Sequence, residues 1–159
     1  MNTIVVDIAD MAMSDDPESE LVTYSLGSCL GVTVYDPVAH IGGMIHCMLP
    51  LSSVDGQKAV EKPFMFVDTG IVLFLQTLFN AGVQKSRAIV KMAGCASVLD
   101  HQGMFRIGER NLTTFRKIIW KNGMIIAAQD VGGEKARTIR LNIGSGRFTI
   151  SSCRETTEI

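Results

Sequence analysis

Between Leu21 and Pro50 the chain passes through three β-rich runs, LVTYSLGSC, LGVTVYDP and HIGGMIHCMLP, with almost nothing between them. β-branched and aromatic residues suit a pleated, half-buried surface. The first two runs meet at Gly27-Ser28-Cys29, which reads as the bend of a hairpin. Asp36-Pro37 reads as the turn into the third run, which Pro50 closes. In the second run Val32 and Val34 alternate with Thr33 and Tyr35, the period of a strand with one buried face. Any fold for this chain must stack these strands and place Cys29 at a bend between them.

The rest of the chain continues the pattern. TIVVDIADMAM opens as a strand-like run, SDDPESE reads as a solvated acidic loop, and LSSVDGQKAVEKP reads as a polar loop. VDTGIVLFLQTLFNAG reads as a buried helix capped by Asp68 or Thr69 and ended by Gly82. NLTTFRKIIWKNG reads as a second helix, with Leu112, Phe115, Ile118 and Ile119 on one face and Gly123 just past its end. SRAIVKMAG, MIIAAQDVGG, RTIRLNI and GRFTISSC read as strands, the last two joined by a tight turn at Ser145-Gly146. The tally is about seven strands and two helices. Helices interrupt runs of strands without alternating regularly with them, which favours an α+β fold.

Composition limits what such a fold can do. The 159 residues fit one domain, residues 1–159, with 47% hydrophobic and 19% charged residues and a formal net charge of −1. A nucleic-acid binder usually carries a basic excess, so none is expected as partner. No basic segment leads into an apolar run at the N-terminus, and Ile71 to Leu75 is too short to span a bilayer. The expectation is a cytoplasmic protein without membrane insertion.

The four cysteines, Cys29, Cys47, Cys95 and Cys153, lie at wide, irregular spacings with no C-x-x-C pair. They read as free thiols with no metal site. A free cysteine is commonly a small buried hydrophobe, and Cys29 could be that. Its neighbours Gly27 and Ser28 also leave room for a substrate, and a glycine-bearing bend can aim N–H groups at an oxyanion. A cysteine nucleophile needs a base. Of the three histidines, His40 and His101 sit in polar turns and read as solvated. His46 lies inside MIHCML, where a buried imidazole requires a partner. Strand alternation puts Met44, His46 and Met48 on one face and Cys47 on the other, so Cys47 cannot pair with His46. Cys29 can, if the third run packs beside its bend. Thr23 is a polar residue in an otherwise apolar run, either an ordinary strand residue or the group that orients His46. The glycine-bearing stretches MAGCAS, RIGERN and DVGGEK match no phosphate-loop pattern and read as tight turns bordering a site.

The order of LGSCLGVTVYDPVAHIGGMIHCMLP, VDTGIVLFL, KMAGCASVL, RIGERN and DVGGEKARTIRLNIGSGRFTI, from about residue 20 to residue 150, resembles the CheD family of chemotaxis proteins. These are receptor-modifying glutamine deamidases. The resemblance implies two packed mixed β-sheets with helices on the outside (α/β/β/α), similar to the catalytic domains of deamidating bacterial toxins. It implies a catalytic pair of Cys29 and His46 supported by Thr23, with Gly27, Ser28 and Gly94 as candidates for the oxyanion pocket, and no cofactor. The implied substrates are methyl-accepting chemoreceptors, and the implied partner is a CheC-type phosphatase. A non-catalytic adaptor for that phosphatase or for receptors, and a cysteine amidase acting on a small molecule, are the alternatives. Two departures stand out. The family usually has two glycines where this chain has Gly94-Cys95, and an aromatic residue followed by alanine where it has Phe66-Val67.

Overall fold

The computed structural model describes residues 1–97 and 106–159. In chain order its elements are β1 (Asn2–Val5), β2 (Asp10–Ser14), β3 (Ser19–Leu26), β4 (Leu30–Asp36), β5 (Ile41–Cys47), α1 (Gly56–Glu61), α2 (Val67–Ala81), β6 (Ile89–Gly94), α3 (Ile107–Lys121), β7 (Ile126–Val131), β8 (Arg137–Asn142), β9 (Phe148–Ser152) and β10 (Glu155–Glu158). The strands form two five-stranded sheets, ordered β1-β3-β8-β9-β10 and β2-β5-β4-β6-β7. Each is mixed: β1 runs parallel to β3 and β6 parallel to β7, while the other pairs are antiparallel. The expected α+β arrangement of two packed mixed sheets is what the chain forms.

The three runs between Leu21 and Pro50 do not make one sheet. β3 belongs to the first sheet, while β4 and β5 pair in the second. Gly27-Ser28-Cys29 is therefore a crossing between sheets, not a hairpin bend. The opening run also divides. β1 and β2 lie in different sheets, and the chain turns between them at Ala9, whose φ is 61°. No glycine or proline marks that turn. The tail adds β10 to the edge of the first sheet, and the polar segment after Pro50 folds as short helical turns and α1.

Two apolar layers hold the stack. Leu21, Leu26, Met44, Ile139, Leu141 and Phe148 pack between the sheets. Val32, Val34, Ile45, Phe74, Leu78 and Phe115 pack between the second sheet and α2 and α3. Ile71, Phe74 and Leu78 of α2 are wholly removed from water, each stabilising the fold by roughly 1.5–3 kcal/mol. Both long helices thus share one side. The outer face of the first sheet instead carries the half-buried polar residues Glu20, Arg140 and Asn142. The second sheet is covered on both faces, so every residue of β4 is buried, not only the Val32 and Val34 face.

α2 begins without the expected side-chain cap. The Asp68 carboxylate accepts from the Ser52 N–H at 2.9 Å and hydroxyl at 2.9 Å, and Thr69 Oγ1 donates to the Pro63 carbonyl at 2.6 Å. Both side chains tie the preceding segment to the helix. Gly82 follows the helix in the left-handed region, φ 119°, as its position suggested. α3 starts four residues earlier than the apolar pattern indicates, because most of the RIGERN segment is helical and not a tight turn.

Candidate functional site

His46 faces the gap between the sheets. Alternation along β5 sends Met44 into the inter-sheet layer and Ile45 and Cys47 into the helix-side layer. Thr23 projects into the same gap from β3, and both are completely buried. Thr23 Oγ1 lies 2.7 Å from the Val6 carbonyl oxygen and 2.7 Å from His46 Nδ1. A carbonyl can only accept, so the single hydroxyl hydrogen is directed to Val6. The contact with His46 then requires Nδ1 to donate. This fixes the tautomer: the ring proton is on Nδ1, and Nε2 carries a free lone pair. Nε2 is buried and has no hydrogen-bond partner among the described residues.

Cys29 sits on the same side. Gly31 pairs with His46 in the β4–β5 ladder. Cys29 lies two residues before Gly31, just outside the ladder, and strand alternation turns it toward the face that His46 occupies. Cys29 packs against the inter-sheet layer and is the only one of the four thiols in a half-buried position; Cys47 and Cys95 are buried and Cys153 is exposed. The structure thus brings Thr23, His46 and Cys29 into one layer, as their sequence positions allowed. Burial raises the Cys29 thiol above its ordinary range and lowers the His46 imidazole to about 4. Both shifts favour the uncharged forms, so the resting pair is a thiol beside a neutral imidazole.

The bend that carries Cys29 is held from several sides. Its carbonyls at Gly27 and Cys29 accept from the N–H groups of Ala96 at 2.9 Å and Cys95 at 2.8 Å. Gly94 makes this approach possible. It has φ +101°, and a Cβ there would lie 2.3 Å from the Cys29 carbonyl oxygen. Cys95, at the family's second glycine position, adopts a left-handed φ of 53°. Its side chain packs into the helix-side layer, and burial, with the neighbouring Cys29 adding to it, pushes its thiol up to about 12.

Two further residues reach the site from distant elements. Asn111 of α3 is fully buried, and its Nδ2 donates to the carbonyls of Ser28 at 3.0 Å and Met48 at 3.1 Å. Arg137 of β8 is also buried and donates to the Gly94 and Gly132 carbonyls at 3.3 and 2.9 Å, so DVGGEK and the Gly94 loop are clamped together. Sequence reasoning assigned neither residue a role. The only signal for Asn111 was the RIGERN element itself. His40 lies exposed in its turn, and His101 lies outside the described residues. Among the described residues no group of three or more His, Cys, Asp or Glu side chains is placed to hold a metal ion, and no helix is long and apolar enough to cross a membrane. A half-buried thiol, a neutral imidazole with a bare nitrogen and a fixed bend of backbone amides are the parts that acyl transfer through sulfur requires.

Comparison with known proteins bears on the same chain. The family model described as CheD chemotactic sensory transduction matches residues 48–152. A protein of Solibacter usitatus, described as "Probable chemoreceptor glutamine deamidase CheD", is 47% identical over 148 residues, covering 93% of this chain and 88% of that one. A Syntrophus aciditrophicus protein described as "Probable chemoreceptor glutamine deamidase CheD 1" is 45% identical over 152 residues, covering 96% of this chain and 95% of that one. A Pyrococcus abyssi protein with the same description as the first is 36% identical over 146 residues, covering 91% and 88%. With these matches across nearly its whole length, the chain belongs to the CheD family.

Proposed function

We propose that the protein is a cytoplasmic glutamine deamidase that converts glutamine side chains of methyl-accepting chemoreceptors to glutamate during chemotactic adaptation. The descriptions of its relatives support the substrate class. The observation that carries the chemistry is the Thr23–His46 bond, which leaves His46 Nε2 bare on the face it shares with Cys29.

The reaction runs as follows. His46 Nε2 takes the Cys29 proton as the sulfur attacks the glutamine side-chain carbon, forming a C–S bond. The carbonyl oxygen becomes an oxyanion, held by backbone N–H groups of the Gly27 to Cys29 bend. Each well-placed donor of this kind lowers the barrier by about 3–4 kcal/mol. The C–N bond breaks as the imidazolium returns its proton to the departing nitrogen, releasing ammonia and leaving a thioester. Water, deprotonated by the same Nε2, attacks the thioester. The thiol is expelled and reprotonated, and glutamate remains. Each turnover places one negative charge on a receptor helix and changes repulsion between its neighbours.

The test is incubation with a cytoplasmic chemoreceptor fragment, read by mass spectrometry for glutamine-to-glutamate conversion. Wild type converts; Cys29→Ala and His46→Ala do not. Equal conversion by wild type and Cys29→Ala sinks the reading. If a CheC-type phosphatase, the proposed partner, is then still pulled down by both, the adaptor role takes its place. Turnover of free glutamine analogues with no receptor conversion would instead make the protein a small-molecule amidase.

A further inference from the structure

The three residues of the Cys29 bend share a pattern that the Cys-His-Thr constellation does not explain. Every one of their carbonyls is tied to a different group: Gly27 O to the Ala96 N–H, Ser28 O to Asn111 Nδ2, and Cys29 O to the Cys95 N–H. None of their own N–H groups has a hydrogen-bond partner among the described residues. The described residues contain no cis peptide bond, so the C=O and N–H of one peptide plane point in opposite directions. Tying the Ser28 carbonyl toward α3 therefore aims the Cys29 N–H the other way. Tying the Gly27 carbonyl does the same for the Ser28 N–H.

We infer that Asn111 is a positioning residue that holds the Ser28–Cys29 peptide plane so that the Cys29 N–H stays available as an oxyanion donor. A bend containing glycine can rotate a peptide plane at little cost. Rotation of this plane would turn the Ser28 carbonyl into the site and the donor out of it. Two of the three ties come from backbone N–H groups, which only proline would remove; Asn111 is the side chain among them. Its orientation is not ambiguous, because both oxygens it faces, Ser28 O and Met48 O, can only accept. The second bond matters as well. Met48 lies two residues past His46, so one amide braces the nucleophile's bend against the end of the strand that carries the base. Gly108, one turn earlier on α3, lets the helix come this close. A Cβ there would lie 2.5 Å from the Ala96 carbonyl oxygen.

This inference rests on the deamidase reading, and its test separates the two. Asn111→Ala is compared with wild type in two rates: deamidation of the receptor fragment, and alkylation of the Cys29 peptide by iodoacetamide. Alkylation consumes the thiol but forms no oxyanion. The expected result is a fall in kcat of about 100-fold, the cost of one misplaced oxyanion donor, with KM and the alkylation rate both within about 3-fold of wild type. Asn111→Ser keeps one donor and is expected to recover part of the loss. If Asn111→Ala does not fold, Asn111→Ser is read by the same two rates. Unchanged kcat overturns the inference. So does a parallel fall in both rates, which would mean the bend has simply collapsed, and so does insolubility of both variants, which would make Asn111 a fold determinant. A wild type without deamidation sinks the parent reading; an active wild type with an equally active Asn111→Ala sinks only this one.

Discussion

Replacing Thr23 by valine removes the hydroxyl and preserves the branched shape, so it isolates the hydrogen bonds. The hydroxyl accepts from His46 Nδ1 at 2.7 Å and donates to the Val6 carbonyl at 2.7 Å. In the resting state the first of these is a bond between neutral groups, which contributes about 1 kcal/mol. In the proposed reaction the imidazole becomes cationic as it takes the thiol proton. The same bond is then charge-assisted, at about 1.5–3 kcal/mol. Valine removes the larger quantity from the transition state and the smaller from the ground state. It also leaves a proton on Nδ1 with no acceptor, so the neutral ring does better with its proton on Nε2, where the base should be bare. Taken together the reaction loses about 2 kcal/mol, or roughly 30-fold in kcat. Two buried polar groups are orphaned, Nδ1–H and the Val6 carbonyl. Stability should fall by about 2 kcal/mol, a drop in melting temperature of about 4–8 °C for a chain of this size. Thr23→Ser keeps the hydroxyl and should stay within about 3-fold of wild type in kcat. Receptor deamidation kinetics supply the rates, and ¹⁵N spectra of the imidazole report the tautomer. A Thr23→Val variant with wild-type kcat, or a wild-type ring carrying its proton on Nε2, would show that Thr23 does not set the state of His46.

Three further predictions concern the frame around the pair. His46 is held near 4 when folded against 6.5 ordinarily, so the unfolded chain binds its proton first as pH falls. The stability this contributes, up to about 3 kcal/mol, is intact above pH 6.5 and is lost toward pH 4; His46→Gln should flatten the dependence of the denaturant midpoint over that window, and an unchanged slope would contradict this. At the other end of β4, burial by itself would raise the Asp36 carboxyl, but the Arg87 guanidinium and the N–H groups of Gln84, Ala39 and Val38 outweigh it and hold it well below the usual carboxylate range. Arg87→Ala should cost about 3 kcal/mol and move acid unfolding to higher pH, measured by chemical denaturation, with deamidation untouched at neutral pH. Gly94→Ala forces a methyl group against the Cys29 carbonyl oxygen at φ +101°, a conformation that costs about 1–3 kcal/mol for a side-chain-bearing residue; kcat should fall more than stability does, and a fully active variant would show that the bend tolerates movement.

What could be read along the chain was what local periodicity encodes. Alternation alone separated His46 from Cys47, because β5 is a regular strand and its two faces pack against different layers. The positions of Gly82 and Gly123 marked helix ends, and both take positive φ. What stayed hidden depends on partners far away in sequence. The crossing at Cys29 resembles a hairpin bend because both flanking runs are strand-like; only the pairing of β3 with β1 and β8 sends them to different sheets. β4 looks half-buried because Thr33 and Tyr35 are polar, yet they face a second sheet and not solvent. α3 starts at Ile107 after Arg106, a residue in the left-handed region with no capping side chain, so no Ser, Thr or Asp announces it. Beyond the RIGERN element, Asn111 gave no hint of its role, because its acceptors lie 83 and 63 residues away.

The electrostatics of the pair sharpen what the rest of the site must do. A thiol pushed up by burial and an imidazole lowered to about 4 both rest in their neutral forms at neutral pH, and the ionised pair is disfavoured. Proton transfer therefore has to be driven by events that accompany it, namely C–S bond formation and the appearance of charge on the substrate oxygen. Under that constraint the amides of the bend are not an accessory to an already reactive thiolate. In the proposed reaction they stabilise the negative charge that makes the transfer favourable, while Thr23 stabilises the positive charge on the ring. The two charges arise together, between β3, β5 and the crossing from one sheet to the other. Each is met by a group whose own position is fixed by a second bond, Thr23 to Val6 and the Ser28 carbonyl to Asn111. It follows that the deamidation rate should be more sensitive to loss of the fixing bonds than the resting reactivity of Cys29 is.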